Sequence, residues 1–195
     1  MEDNSNQIEL EPSELGTKVY WDSIYERDKH NFEDHGDVGE IWFGEDSELR
    51  ILRWLTKSNV PTDKKIIDLG CGNGMMLIEL AREGYNNLTG VDYCESAIEL
   101  SKSIIKTQSM DHIKLQVADL TQDCNLGVFD IVLDKGTFDA ISLSPEDAQS
   151  KKLIYLKNVS KMLNDAGLFV ITSCNWTESE LIKQFSTGTW YYSLA

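Results

Sequence analysis

The segment from Ile66 to Gly74 constrains the fold more than any other part of this 195-residue chain. Two branched apolar residues lead into an acid, Asp68, and glycine then occupies every second position, at Gly70, Gly72 and Gly74. This pattern is typical of a buried strand that ends in a tight turn against a ligand, since glycine adopts positive φ and allows close approach. A helix predicted over residues 75–83 would direct its free N–H groups at the same ligand.

From residue 65 onward, apolar runs alternate with helical patterns. Strands are predicted over residues 65–69, 88–92, 113–118, 129–133 and 168–173, and helices over residues 17–30, from Asp46 or Ser47, over 75–83, 94–107 and 146–163, and from Thr177. Apolar strands separated by helices favour a parallel sheet that is covered on both faces. We therefore predict an α/β fold with a Rossmann-like, doubly wound, mostly parallel sheet whose ligand lies outside the carboxyl ends of the strands.

Length and charge favour one domain with an acidic leader. Residues 15–195 are predicted to form a single domain, in which residues 15–60 give N-terminal helices and a lid and residues 64–185 give the core. Residues 1–48 hold fifteen acids and three bases, a net charge of −12, and residues 1–14 are predicted to be disordered. An acidic surface also attracts a basic partner and disfavours nucleic acid.

The composition argues against a membrane protein, a metal-binding protein and a protein held by disulfides. The chain has no apolar run near the roughly 20 residues that span a bilayer, so we expect no membrane partner. The four cysteines and three histidines show no metal-ligand spacing, so no metal is expected and reduced thiols in the cytosol fit best.

The glycine spacing indicates the kind of ligand. A dinucleotide fingerprint would require a third glycine at position 75, where the chain has Met75. The acid Asp68 suits a pyrophosphate poorly but suits a cationic ligand with an amino group. S-adenosylmethionine (SAM) is therefore favoured over a nicotinamide dinucleotide, with Asp68 and the three glycines as cofactor-binding residues.

Acids at two later strand ends support SAM. Asp92 ends the second strand eighteen residues after Gly74, where an acid can bind the ribose hydroxyls, although it could also cap the next helix. Tyr93 could pack beside the adenine. Asp119 ends the third strand and could accept a hydrogen bond from the exocyclic amine, although alone it would more often be a surface turn residue. Leu120 could cover the base, so these four residues join the predicted cofactor set.

The fourth strand leads into Asp134, Lys135, Gly136 and Thr137. A carboxylate at the mouth of a sulfonium site can stabilise an incoming ammonium and receive charge as the amine loses its proton. Asp134 is therefore the predicted catalytic residue, and the alternative is that it anchors the loop or the methionine amino group. Lys135 cannot bind SAM by charge, and it could instead pair with Asp130 or Asp139.

Aromatic residues flank the same mouth. Trp42 lies in a segment, Glu40–Gly44, that could fold over the pocket as a lid, and Asn175 and Trp176 follow the fifth strand. Aromatic faces attract sulfonium and ammonium groups, although ordinary packing is an equal alternative for both tryptophans. Trp42 is assigned to the cofactor. The predicted substrate-binding residues are Lys135, Gly136, Thr137, Asn175 and Trp176.

Four runs together resemble a known family. They are Gly39-Glu40-Ile41-Trp42-Phe43-Gly44, the glycine segment, Asp134-Lys135-Gly136-Thr137-Phe138-Asp139-Ala140 and Ile171-Thr172-Ser173-Cys174-Asn175-Trp176-Thr177. Over roughly residues 15–185 the chain resembles the methyltransferase-like protein-lysine methyltransferases that modify translation elongation factor 1-alpha. The resemblance implies a seven-strand class I enzyme that uses SAM to methylate a lysine of that basic factor in the cytoplasm, with the nucleus as a second location. We expect a monomer.

The C-terminal end departs from the family pattern. The family's sheet normally ends in an antiparallel hairpin, whereas residues 186–195 suffice for one short strand. We therefore predict an incomplete hairpin that leaves the fifth strand at a sheet edge. A small-molecule methyltransferase and a catalytically impaired, SAM-binding variant remain as alternative functions.

Overall fold

The computed structural model describes residues 9–185 and places five strands in one sheet. The strands are β1 (Lys65–Leu69), β2 (Asn87–Asp92), β3 (Lys114–Val117), β4 (Phe129–Lys135) and β5 (Leu163–Thr172). Their order is β3-β2-β1-β4-β5, and every neighbouring pair is parallel. The predicted α/β class with a Rossmann-like parallel sheet is confirmed. The strand order reverses between β1 and β4, which is where ligands bind in sheets of this kind.

Helices cover both faces of the sheet. They are α1 (Lys18–His35), α2 (Gly44–Lys57), α3 (Met75–Arg82), α4 (Glu95–Thr107), α5 (Thr137–Ser142), α6 (Ala148–Met162) and α7 (Glu178–Phe185). Successive residues of a strand point to opposite faces. Ile66 accordingly packs in one core cluster with residues of α1 to α4, and Ile67 packs in a second cluster with residues of α5 to α7. No helix within residues 9–185 has the length and apolar character needed to cross a membrane.

Three predicted boundaries differ for local reasons. The second helix begins at Gly44 rather than at Asp46 or Ser47, because the Ser47 hydroxyl donates a 2.7 Å hydrogen bond to the Phe43 carbonyl and so lies inside the helix instead of capping it. Helix α6 begins at Ala148 rather than at 146, because the Asp147 side chain accepts a hydrogen bond of 3.2 Å from the Ser150 N–H. Strand β5 begins five residues earlier than predicted, since the chain extends directly from the end of α6.

The N-terminal part of the described chain contacts the core. Leu10 and Ser13, which lie in the leader that is predicted to be disordered, do so in different ways. Leu10 packs against the second core cluster, and the Ser13 N–H donates a 3.0 Å hydrogen bond to the Leu143 carbonyl. Residues 1–8 of that leader, and the incomplete hairpin predicted from residues 186–195, lie outside the described residues.

Candidate active site

The glycine loop after β1 is held by close contacts with two side chains. Gly70 has φ 68°, and a Cβ built on it would lie 2.1 Å from Thr137 Oγ1. Gly72 has φ 52°, and its Cβ would lie 2.4 Å from the hydroxyl oxygen of Tyr25. Both positions therefore require glycine, for conformation and for space. The Thr137 hydroxyl also donates a 2.6 Å hydrogen bond to the Leu69 carbonyl, which joins the ends of β1 and β4.

Asp92 joins the loop after β1 to the end of β2. One carboxylate oxygen accepts a 3.0 Å hydrogen bond from the Gly72 N–H, and the other accepts a 2.9 Å bond from the Cys94 N–H. The residue is buried, and burial raises its pKa to about 6, although hydrogen bonds to the carboxylate oppose the shift. At neutral pH Asp92 is therefore mostly ionised and remains an acceptor at the cavity surface.

Asp119 and Leu120 follow β3 at the same edge of the sheet. The Asp119 Oδ1 accepts hydrogen bonds from the Thr121 N–H at 2.8 Å and from the Thr121 hydroxyl at 2.6 Å. The Leu120 side chain is buried, and its carbonyl accepts a 3.0 Å bond from the Asn158 amide. Asp119 is thus held by a local contact and Leu120 by a contact with α6, and both residues lie at the surface of the cavity.

A cavity of about 400 Å³ lies at the carboxyl ends of the strands. It is lined by the following predicted site residues: Trp42, Gly70, Gly72, Asp92, Tyr93, Asp119, Leu120, Lys135, Gly136, Thr137 and Asn175. Its volume falls within the range of about 300 to 1,000 Å³ that is usual for small-ligand sites. Most of the residues that the sequence assigns to a site therefore line one cavity, although the strand ends that carry them are distant along the chain.

The residues that line the cavity fit SAM. Acceptors at Asp92 and Asp119 suit ribose hydroxyls and an exocyclic amine, and the rings of Trp42 and Tyr93 suit a flat base or a sulfonium. The indole N–H of Trp42 is buried and has no hydrogen-bond partner among the described residues.

Two predicted cofactor residues lie beneath the cavity rather than at its surface. Asp68 is buried below the glycine loop, and burial raises its pKa to about 7 against the opposing charge of Lys135. Gly74 precedes α3, and a Cβ on it would lie 2.6 Å from Ser101 Oγ. Neither is among the residues that line the cavity. In the structure both residues support the loop, and their assignment to the cofactor stays a prediction.

The predicted catalytic residue, Asp134, is also away from the cavity surface. Its side chain is fully buried, and its oxygens accept hydrogen bonds from the Thr137 N–H at 2.8 Å, the Phe138 N–H at 3.0 Å and the Tyr155 hydroxyl. Burial raises its pKa to about 7, although the hydrogen bond from Tyr155 opposes the shift. The geometry therefore favours the alternative role that the sequence left open, in which Asp134 anchors the loop that begins α5.

Trp176 is likewise outside the cavity. Its ring packs against Phe138 in the second core cluster, with ring centroids 6.0 Å apart, and the Lys152 ammonium lies 5.4 Å from its centroid. The structure therefore favours the packing alternative that the sequence left open for Trp176, and its role in substrate binding stays a prediction. Its neighbour Asn175 does line the cavity.

Lys135 holds the aromatic lid over the cavity. Its ammonium donates a 2.8 Å hydrogen bond to the Trp42 carbonyl and lies 3.5 Å from a Glu48 oxygen. Pairing with Asp130 or Asp139 is therefore wrong. Asp130 pairs with Lys64 at 3.2 Å instead. The ammonium is thus directed at the lid rather than at a substrate.

Gly136 provides the second contact of the lid. It has φ 88°, and a Cβ on it would lie 2.3 Å from the Phe43 ring. Trp42 itself packs edge-on against Trp21, with ring centroids 4.7 Å apart. The segment that is predicted to be a lid therefore lines the cavity, where it contacts the end of β4 on one side and α1 on the other.

Several cavity residues have no prediction from the sequence, including Lys18, Trp21, Tyr25, Asp139, Leu143 and Cys174. The residues from α1 carry no local pattern that would place them at a site formed by strand ends, apart from the aromatic face of the helix. Asp139 does have a signal, since it is a second acid in the run that follows β4.

The N-terminal segment forms one wall of the cavity. A Cβ on Gly16 would lie 2.2 Å from the carbonyl carbon of Leu143, so the backbone before α1 touches the turn after α5. Leu15, Gly16 and Leu143 all line the cavity. The Trp21 indole N–H donates a 2.7 Å hydrogen bond to the Leu15 carbonyl and fixes this segment to α1.

Comparisons with known proteins identify similar methyltransferases. A family model described as "Methyltransferase domain" matches residues 62–193. Human "EEF1A lysine methyltransferase 2" is 51% identical over 178 residues, which cover 91% of this chain and 75% of that protein. "Protein-lysine N-methyltransferase EFM4" of Saccharomyces cerevisiae is 39% identical over 191 residues, which cover 92% and 83% of the two chains.

A solved structure shows the same fold. The TehB-like SAM-dependent methyltransferase from Corynebacterium glutamicum superposes with a TM-score of 0.58 at 21% identity, over 85% of this chain and 81% of that chain. At this identity the likeness concerns the fold alone.

Proposed function

This chain belongs to the family of class I SAM-dependent methyltransferases, and we propose that it transfers methyl groups from SAM to a lysine side chain of translation elongation factor 1-alpha. The substrate rests on the identity with lysine methyltransferases of that factor, which extends over nine-tenths of this chain. The cofactor rests on the cavity, where acids that end two neighbouring strands face one space.

The cavity residues divide between cofactor and substrate. Asp92 would hold the ribose, and Tyr93, Asp119 and Leu120 would surround the adenine. Gly70 and Gly72 allow close approach to the amino-acid end. SAM supplies a methyl group on a positively charged sulfur, and the lysine must lose its proton before its nitrogen can attack in line. The lid at Trp42 excludes water from this space.

The charge of the chain supports a basic protein substrate. The net charge is −15, which attracts a basic factor and disfavours nucleic acid. We further propose a monomer that acts in the cytoplasm, with the nucleus as a second location, because its four cysteines are all free thiols. Light scattering of the purified protein tests whether it is a monomer. Imaging of the tagged protein in cells tests its location.

Mass spectrometry of the elongation factor after reaction tests the main proposal. The factor would be purified from cells that lack the enzyme and incubated with methyl-labelled SAM and this protein. We expect label on a lysine, and none with Asp92→Asn. No incorporation by the wild-type protein would overturn the substrate. Methylation of a metabolite extract without protein labelling would indicate a small-molecule enzyme instead.

SAM binding without any turnover would indicate the impaired variant. Calorimetry with S-adenosylhomocysteine measures that binding separately from activity. The labelling experiment and the calorimetry together therefore distinguish a protein-lysine methyltransferase, a small-molecule methyltransferase and an impaired SAM-binding variant.

A further inference from the structure

Three carboxylates line the cavity, and they differ in position. Asp92 and Asp119 follow β2 and β3, on the side assigned to adenosine. Asp139 lies in α5, which follows β4, and it faces the opposite part of the cavity beside Cys174 and Asn175. It is thus the only acid among the described lining residues that is not assigned to the cofactor.

The Asp139 carboxylate is fixed by the turn after β5. One oxygen accepts a 2.6 Å hydrogen bond from the Ser173 hydroxyl, and the other accepts a 3.0 Å bond from the Cys174 N–H. The Ser173 oxygen in turn accepts the N–H groups of Asn175 at 3.3 Å and Trp176 at 3.1 Å. The carboxylate therefore has one defined orientation at the cavity wall.

No cation pairs with Asp139 within residues 9–185. The side chain is 4% exposed and makes no salt bridge with a described residue. A buried carboxylate is costly unless it is hydrogen-bonded or paired. The Asp139 carboxylate accepts hydrogen bonds from the Ser173 hydroxyl, the Cys174 N–H and the Cys174 side chain, but none of these groups carries a positive charge. A ligand with an ammonium group would complete this site.

The neighbouring walls suit the rest of a lysine side chain. Ala140, Ile141 and Leu143 line the cavity beside Asp139 and offer apolar contact to methylene groups. Lysine side chains bury their stems along apolar surface while the ammonium binds an acceptor. The carboxylate of Asp139 and the apolar side chains beside it thus lie together on α5 and the turn that follows it.

From this arrangement we propose that Asp139, and not Asp134, binds the ammonium of the substrate lysine. The inference rests on the proposed function, since it concerns the acceptor side of the same cavity. Asp139 pairs with the ammonium as the lysine enters and holds the nitrogen on the side of the cavity opposite Asp119. Ser173 is a positioning residue, because it acts only through the Asp139 carboxylate.

Asp139→Asn tests the proposal, with Asp111→Asn as the matched control. Asp111 is exposed in the turn before β3, at the opposite end of the sheet. In the presence of S-adenosylhomocysteine, n-butylammonium and its neutral counterpart n-butanol serve as probes, measured by NMR titration. We expect Asp139→Asn to lose preference for the ammonium, while Asp111→Asn keeps it.

Kinetics and cofactor affinity complete the test. For the elongation factor, kcat/KM should fall on the order of 100-fold in Asp139→Asn, in line with loss of one partner of a buried charge pair. Ser173→Ala should raise KM more than it lowers kcat. The affinity for S-adenosylhomocysteine should change less than about twofold. An equal loss of cofactor affinity would overturn the assignment.

Failure of the inference differs from failure of the proposed function. If the wild-type protein methylates the factor and Asp139→Asn does so equally, Asp139 does not bind the substrate and the function stands. If n-butylammonium binds only when Asp139 is present but the factor is not methylated, the ammonium site stands and the protein substrate is wrong.

Discussion

The Lys135 ammonium donates a 2.8 Å hydrogen bond to the Trp42 carbonyl, across 93 positions of sequence. The bond joins the end of β4 to the segment before α2. The strand that leads into the site therefore also holds the predicted lid segment in place. The charge on Lys135 is offset by Glu48 at 3.5 Å and by the nearby buried carboxyl of Asp68.

Lys135→Met is expected to loosen the lid. It removes a charged donor whose hydrogen bond contributes about 1.5 to 3 kcal/mol, and it leaves Glu48 without its cation. Affinity for S-adenosylhomocysteine, measured by calorimetry, should fall about tenfold or more. Lys114→Met, at an exposed position where β3 begins, should bind as the wild-type protein does. Unchanged affinity in Lys135→Met would show that the lid does not depend on this bond.

Gly136→Ala should displace Phe43 from the cavity. Its φ of 88° is unfavourable for alanine, and the new Cβ would meet the Phe43 ring at 2.3 Å. Gly127→Ala is the matched control, because Gly127 has φ 94° with no atom within 4 Å of a built Cβ. Both changes carry a similar backbone cost, of order 1 kcal/mol. Only Gly136→Ala should also weaken cofactor binding, and equal affinities in the two variants would contradict the contact.

Asp134→Asn should lower the stability of the fold, because Asp134 anchors a loop rather than contacting the substrate. The asparagine amide cannot accept from the Thr137 N–H, the Phe138 N–H and the Tyr155 hydroxyl as the carboxylate does. We expect the free energy of unfolding in urea to fall by about 2 to 4 kcal/mol. Asp123→Asn, at an exposed ion pair, should change it by less than about 1 kcal/mol. Wild-type stability with lost turnover would restore a catalytic role for Asp134.

The protein without cofactor should lose stability between pH 6 and pH 8. Burial raises the pKa values of Asp68 and Asp134 to about 7, whereas both groups are ionised in the unfolded chain above about pH 5. The native state therefore binds more protons than the unfolded state in this window, and the free energy of unfolding falls as pH rises. Each carboxyl should contribute about 1 kcal/mol, or roughly 2 to 4 °C in Tm.

Thermal unfolding at constant ionic strength measures this effect. Asp68→Asn should remove part of the slope, and Asp111→Asn should retain all of it. The charged groups that act on Asp68 are Lys135, Glu48, Asp134 and Asp92, so Lys135→Met should raise the Asp68 pKa further. A Tm that rises from pH 6 to pH 8 would contradict the prediction.

The strand ends were predictable because each carries its own local pattern. Asp92, Asp119 and Gly72 follow apolar runs, and parallel pairing brings such ends to one edge. The pattern of an apolar run followed by an acid does not predict the direction in which the acidic side chain points. Asp134 and Asp139 look alike as acids after β4, yet one is enclosed by helix N–H groups and the other faces the cavity.

Contacts from outside the sheet could not be predicted from such patterns. The hydroxyl of Tyr25 approaches Gly72 because α1 packs across α4, and nothing near position 25 specifies that packing. For the same reason the sequence indicates only Asp130 or Asp139 as partners of Lys135. Its partner, the Trp42 carbonyl, is a backbone atom that any residue type would provide.

The close approach of Gly16 to Leu143 has a practical consequence for engineering this protein. Removal of residues 9–16 would spare every strand and every core helix described here, so circular dichroism would report an intact fold. The same shortened protein would lack Leu15 and Gly16, which line the cavity beside Leu143. N-terminal trimming is therefore expected to change ligand binding at the cavity more than it changes secondary-structure content.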